Sequence, residues 1–361
     1  MKGILKLGSV SGIKIEVHWT FTLLLVWVVI AELQRGGNLS SSLFSIALLL
    51  LLFVCVVLHE LGHALTAKRF RIITKKITLL PIGGMATMEK LPEKPLQEIA
   101  VALAGPAVNV IIAFILYFIV PVKSYFGTEP VKILESLNTL SLETFLFYLF
   151  VANVMLVLFN LIPAFPMDGG RVFRALLALK MDRAKATSIA AGLGQMMAVF
   201  FFLLGVLYNP FLILIALFIF VSAYGENQMV QQHSLLDGHT VKEAMLKYST
   251  RLHPEDTVQK AIDTLLSGSE KDFVVTDDNK IVGVLYQKDI IKNAGSPSLL
   301  LKEIMDNSYK TVPMDLEIIN VLELVAKEKK NFFPVTQDGQ LVGAIDTNNI
   351  SEFILIKTTK D

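Results

Sequence analysis

The sequence predicts an α-helical membrane protein, a six-span bundle with a small membrane-associated β-hairpin, followed by a duplicated α+β tail. Three observations carry that expectation. Of 361 residues, 53% are hydrophobic and 18% charged, where soluble domains carry about 25% charge. Apolar runs approaching the roughly 20 residues that cross a bilayer recur up to Tyr224 and then stop. Beyond them, Glu243-Ala244-Met245 returns as Glu303-Ile304-Met305 and Val282-Gly283 as Val342-Gly343, each 60 residues on.

The six candidate spans are Val17–Leu33, Leu43–Lys68, Glu98–Val120, Glu143–Phe165, Ala186–Tyr208 and Pro210–Ala223, the last one short. Lys2, Lys6 and Lys14 precede the first. A signal peptide would share that pattern, but no small-residue cleavage site follows, and the run reads as a span. Lysine and arginine in short loops set orientation. They gather in the N-terminal arm, after span two (Lys68, Arg69, Arg71, Lys75, Lys76) and after span four (Arg171, Arg174, Lys180, Arg183, Lys185). The loop after span one has only Arg35, and Lys123 and Lys132 after span three are offset by acids. A multi-pass protein of the cell membrane with both termini cytosolic satisfies this alternation. The net charge of +1 provides no field to recruit nucleic acid, and a single cysteine, Cys55, excludes an intrachain disulfide.

Two stretches outside the spans alternate like strands. One is Gly12–Val17. The other is Lys76–Leu80, which a turn through Pro81-Ile82-Gly83-Gly84 would fold into a hairpin at the membrane between spans two and three. In the tail, each copy reads as a helix, a β-branched strand, a polar turn, a second strand and an amphipathic helix. The turns are Asp277-Asp278-Asn279 and Gln337-Asp338-Gly339. The expected domains are residues 1–226 in the membrane, a linker over 227–239, and the tail over 240–361, with repeats at about 240–293 and 300–356.

The chemistry lies in span two, in His59-Glu60-Leu61-Gly62-His63. Positions four apart share a helix face, so both imidazoles can bind one metal ion. Glu60 flanks that face and can reach a water on the metal, the zinc-protease pattern with glutamate as general base. Ionisable side chains inside a span are costly, and three within five positions need a common partner. A catalytic zinc takes three protein ligands and keeps a position for water. The best third candidate is Asp168, set among Pro163, Pro166, Gly169 and Gly170 after span four. Spans two and four run in the same direction, so His59 and Asp168 reach one depth near the cytosolic side. A turn or helix-cap aspartate is the competing reading. Cys55, one turn before His59, is read as a small buried side chain, because a thiolate ligand would close the open position. His18-Trp19 is read as an interfacial anchor, and His233, His239 and His253 as solvated.

These residues resemble the site-2 protease family of intramembrane zinc metalloproteases. The resemblance rests on the His59–His63 motif, Leu80-Pro81-Ile82-Gly83-Gly84, Ala104-Gly105-Pro106-Ala107-Val108-Asn109 and the stretch Asn160–Arg171, in order and spacing over about residues 1–226. It implies one zinc ion per chain on His59, His63 and Asp168, with Glu60 as catalytic base. It also implies a transmembrane protein substrate, such as a membrane-bound regulatory protein, whose helix unwinds and pairs with the hairpin at Gly83 and Gly84 by strand addition. Asn109 and Asn160 match polar positions near the family's site. They are read as orienting substrate or stabilising an oxyanion, with interhelical hydrogen bonding as the alternative.

Residues Thr240–Ile354 resemble a pair of cystathionine-β-synthase-type (CBS) domains. Such pairs regulate attached domains and often bind adenine nucleotides, and stacked pairs imply a homodimer. The cleft signature is glycine, two apolar residues, serine or threonine, two residues, then aspartate. The first copy, Gly283-Val284-Leu285-Tyr286-Gln287-Lys288-Asp289, keeps Asp289 for ribose hydroxyls but has tyrosine at the hydroxyl position. The second, Gly343 to Asn349, departs at both positions, and its Asp346 would repel phosphate. Nucleotide binding and a purely structural or dimerising role both stay open. A transporter gated by this tail would spread ionisable residues along several spans, and an inactive scaffold would lack site residues. The sequence shows neither pattern.

Overall fold

The computed structural model describes residues 3–81, 83–88, 92, 94–122, 141–247, 249–278 and 280–359. The chain divides into two compact units, Met1–Gln228 and Met229–Asp361.

The helices that begin in the first unit are α1 (Phe21–Gln34), α2 (Leu39–Arg69), α3 (Pro95–Ile119), α4 (Leu142–Asn160), α5 (Asp168–Ala178), α6 (Arg183–Leu207) and α7 (Phe211–Leu236). Among the described residues, α2, α3, α4, α6 and α7 are long and apolar enough to cross a membrane; α1 is apolar but has 14 residues. Five helices of the expected multi-pass bundle are therefore long enough to span, and α1, expected as the first of six, is shorter than a span requires. Phe114, Phe118, Leu207 and Phe211 are among the large apolar side chains left exposed, as lipid-facing positions require.

Three expected boundaries change. Val17 and His18 belong to a strand, so the first helix starts at Phe21. The fourth span stops at Asn160, because Pro163 cannot continue a helix. The last span is not short: α7 continues past Ala223 to Leu236, through most of the expected linker. Adding residues to an existing helix costs little, and its polar continuation is rich in straight-chain residues. Lys123, Lys132 and Asn279 lie outside the described residues.

The expected hairpin is half of a larger sheet. Strands β1 (Ile4–Val10), β2 (Ile13–His18), β3 (Thr74–Leu80) and β4 (Gly83–Met88) line up in the order β1-β2-β3-β4. β2 and β3 pair parallel, and the two outer pairs antiparallel. β1 is exposed at six of its seven positions, so its sequence carries no apolar alternation to announce it. Ser11 and Gly12 both have positive φ, the two-residue turn that matches strand twist. One face of the sheet packs on α2 through Ile13, Ile77, Leu61 and Ala64, which fixes the rotation of the helix that carries the motif.

A buried ion cluster ties α5 to its neighbours. Arg174 is fully buried, and it donates from Nε to Glu98 of α3 at 2.8 Å and from Nη1 to Glu226 of α7 at 2.6 Å. Arg174 thus acts inside the protein rather than as a loop charge. Removing one partner of a buried pair leaves the others uncompensated, at a cost of about 3–5 kcal/mol. Arg174→Leu is expected to lose stability on that scale in detergent unfolding. A loss under about 1 kcal/mol would mean that Arg183, 3.5 Å from Glu98, can replace it.

The second unit contains two copies of one pattern. The first has α8 (Val241–Ala244), β5 (Arg251–Leu252), α9 (Val258–Ser267), β6 (Phe273–Asp277), β7 (Lys280–Leu285) and α10 (Gln287–Lys292). The second has a 3-10 turn (Leu301–Glu303), β8 (Val312–Pro313), α11 (Ile318–Glu328), β9 (Phe332–Gln337), β10 (Gln340–Asp346) and α12 (Thr347–Thr358). The sheets run β5-β6-β7 and β10-β9-β8. The two-residue strands β5 and β8 are too short for a periodic signal.

The copies exchange their leading segments. Leu246 exchanges backbone hydrogen bonds with Ala344 of the second copy, and Asp306 with Val284 of the first. The repeated glycines lie at these crossings. A Cβ on Gly343 would overlap the Leu246 carbonyl, and one on Gly283 would meet Met305 Sδ at 2.7 Å.

Candidate metal centre

His59 and His63 lie one turn apart on the α2 face turned toward α3, while Leu61 faces the sheet. Small residues let the two helices approach. A Cβ on Gly62 would lie 2.7 Å from the Ala104 carbonyl oxygen. A Cβ on Gly105 of α3 would overlap Nε2 of His63 and lie 2.7 Å from Nε2 of His59. Asp168 comes from the other side, as the first residue of α5. Gly169 and Gly170 permit this, because side chains there would overlap the backbone of Leu161, Ile162 and Ala164 in the returning loop.

The three side chains converge. The two Nε2 atoms are 3.1 Å apart, and Asp168 Oδ2 lies 3.2 Å from His59 Nε2 and 3.1 Å from His63 Nε2. All three residues are buried. Tetrahedral zinc with bonds of about 2.0–2.1 Å spaces its ligand atoms about 3.3 Å apart, so the trio fits the ion. His63 Nδ1 is 2.7 Å from the Val101 carbonyl oxygen. A carbonyl only accepts, so Nδ1 carries a proton and Nε2 is the nitrogen left to face a metal ion. Two imidazole nitrogens and a carboxylate oxygen converging in a buried space form a donor set that could hold a cation. Among the described residues, no other set of three His, Cys, Asp or Glu side chains has this arrangement.

Glu60 is half-buried beside β4. A Cβ on Gly84 would lie 2.7 Å from Glu60 Cγ and 3.2 Å from its Oε1, so the bare glycine leaves room for the carboxylate. Gly83, at φ 133°, opens β4, and β4 is an edge strand of the sheet.

The other expected site residues are placed differently. Asn109 is fully buried, with Oδ1 on His59 Nδ1 and Nδ2 donating to Asn153 Oδ1 at 2.8 Å. Both polar ends are engaged behind the His59 ring, so it is a partner of that imidazole, the interhelical hydrogen bonding held as the alternative, rather than a group facing substrate or an oxyanion. Asn160 donates to the Leu156 carbonyl of its own helix at 2.9 Å and is not part of the trio. Cys55 is buried and accepts weakly from Asn153 at 3.5 Å. His18 bonds Thr20, His239 bonds Glu243 and His253 pairs with Asp277. Sequence reasoning missed Asn153 and the part played by Gly105. The signal for Asn153 was available, as an amide in the middle of an apolar span.

In the tail, Asp289 is half-buried in the first turn of α10. Tyr286 is buried at the hydroxyl position of the signature, and burial pushes its phenol well above its usual range, so it stays protonated. In the second copy, Asp346 and Asn349 cap α12 reciprocally, which occupies both departing residues.

A buried His-His-Asp trio inside a bundle of apolar helices, with a glutamate beside it, defines a membrane metallopeptidase. Comparison with known proteins leads to the same class. The family description "Peptidase family M50" matches residues 47–205, and "CBS domain" matches 241–296 and 301–356. A zinc metalloprotease of Methanocaldococcus jannaschii is 34% identical over 358 residues, covering 99% of this chain and 98% of that one. Stage IV sporulation protein FB of Bacillus subtilis is 29% identical over 175 residues, 48% of this chain and 51% of its own. A solved site-2 protease from Methanocaldococcus jannaschii is 38% identical, covering 62% of this chain and 95% of that one, with a TM-score of 0.45. The chain belongs to the M50, or site-2 protease, family of zinc metalloproteases, and it carries two CBS domains at its C-terminal end.

Proposed function

We propose that this protein hydrolyses peptide bonds of transmembrane proteins near the cytosolic side of the bilayer, at a zinc ion held by His59, His63 and Asp168. The convergence of those three ligand atoms beside Glu60 carries the reading. When bound, the ion supplies Lewis acidity, which polarises a carbonyl and acidifies water. Glu60 takes the proton of the attacking water on its carboxylate and returns it to the leaving amide nitrogen. The substrate is a helix that unwinds. Its freed backbone groups cannot stay unpaired at membrane depth, and the edge of β4 at Gly83 and Gly84 offers them partners by strand addition. A membrane-bound regulatory protein is the expected class of substrate.

The membrane domain is assigned to residues 1–226 and the regulatory tail to 240–361, with both termini cytosolic. The tail favours a homodimer by stacking. For an adenine nucleotide, Asp289 of the first copy is the signature residue still available for ribose.

The test uses the full chain, purified in detergent, with zinc quantified and cleavage followed on a panel of single-span membrane proteins. One zinc per chain is expected, with cleavage that stops when a chelator removes the ion and returns when zinc is restored. Absence of metal in folded protein would return the transporter and scaffold readings to the front, and cleavage indifferent to the chelator would overturn the zinc mechanism.

A further inference from the structure

The trio is held by two histidines, and their second nitrogens are secured differently. His63 Nδ1 meets a backbone carbonyl directly. His59 Nδ1 meets Asn109 Oδ1, and an amide can flip, which would offer an N–H where an acceptor is needed. A flipped Asn109 would move the His59 proton to Nε2 and remove its lone pair from the metal side.

A third helix prevents this. Asn153 of α4 donates from Nδ2 to the Leu149 carbonyl of its own helix at 2.8 Å, and also reaches Cys55 Sγ at 3.5 Å. The carbonyl can only accept, so the Asn153 NH2 must face it and Oδ1 must face α3. Asn109 Nδ2 donates to that oxygen at 2.8 Å. Asn109 must then present Oδ1 to His59, which places a proton on Nδ1 and leaves Nε2 as the nitrogen that can bind a metal ion. Both asparagines are fully buried, so water does not compete for either amide.

We infer that Asn109 and Asn153 form a directional hydrogen-bond relay, referenced to the Leu149 carbonyl, that holds His59 in its metal-binding tautomer. They are positioning residues for the metal ligand. The inference rests on His59 being a ligand, as proposed above, but the relay exists in the metal-free protein and can be tested there.

Two measurements on the full chain test it. In metal-free protein labelled with 15N-histidine, His59 is expected to keep a protonated Nδ1; a bare Nδ1 in wild type would overturn the relay whatever the variants do. In chelator competition, Asn153→Leu is expected to weaken zinc binding about 10–100-fold, the usual cost of losing an outer partner. Asn153→Asp, whose oxygen still accepts from Asn109, should stay within about threefold of wild type if the relay acts in the manner of such partners. A merely structural role would lower the melting temperature of Asn153→Leu and leave its zinc affinity unchanged. That result, or an aspartate variant as weak as the leucine one, would sink the proposal. Wild type without zinc but with the expected tautomer would instead count against the metal reading and leave the relay standing.

Discussion

Glu60→Gln is expected to keep one zinc per chain and to lose about 10²–10⁴-fold in cleavage rate, the range attributed to a positioned proton-transfer group. The amide has the shape of the carboxylate, so it still fits against Gly84, where the space around Cγ is tight. It contributes nothing to the trio, whose atoms come from His59, His63 and Asp168. What disappears is the ability to take a proton from water and return it to the leaving nitrogen. Zinc content and single-turnover cleavage, measured on the same preparation, separate the two effects. A variant that cleaves at the wild-type rate would remove Glu60 from the mechanism, and one that loses its zinc would make Glu60 part of the metal site.

Gly105→Ala is expected to abolish stoichiometric zinc while leaving the bundle folded. Alanine is the better helix former by about 1 kcal/mol, so nothing local to α3 resists the change. The added methyl would occupy the space between the two histidine Nε2 atoms. Neither ring can retreat freely, because each is tied by Nδ1 to α3 through Val101 or Asn109. The same substitution at Gly192 of α6, where a Cβ meets nothing within 4 Å, serves as the control. Zinc per chain after dialysis and the melting curve in detergent check the pair. Wild-type zinc content in Gly105→Ala would mean that α3 shifts to accommodate the methyl.

The features visible in the sequence were those written in short spacings. The i, i+4 histidines with Glu60 between them, the apolar runs and the 60-residue offset each lie within one segment. A helix or repeat period translates them directly into geometry. Asp168 was reachable from the expectation that spans two and four run in the same direction and end at one depth. The same local logic failed at β1, which buries too little to alternate, and at the end of α7, where hydropathy falls but the helix continues. It also misread Arg174 as a loop cation, because nothing near it in sequence reveals that Glu98 and Glu226 enclose it.

By itself, then, the sequence determined the class of protein, the candidate metal ligands and the duplicated tail. Only the tertiary structure decided how that chemistry is held. Asn153 supports His59 through Asn109 across three helices, Gly105 makes room for two imidazoles on a neighbouring helix, and Gly84 clears space for Glu60 from a sheet. These contacts join residues tens of positions apart, and no period along the chain encodes them. They follow from close packing, in which a missing methyl group or the direction of a single amide is settled by whatever lies opposite.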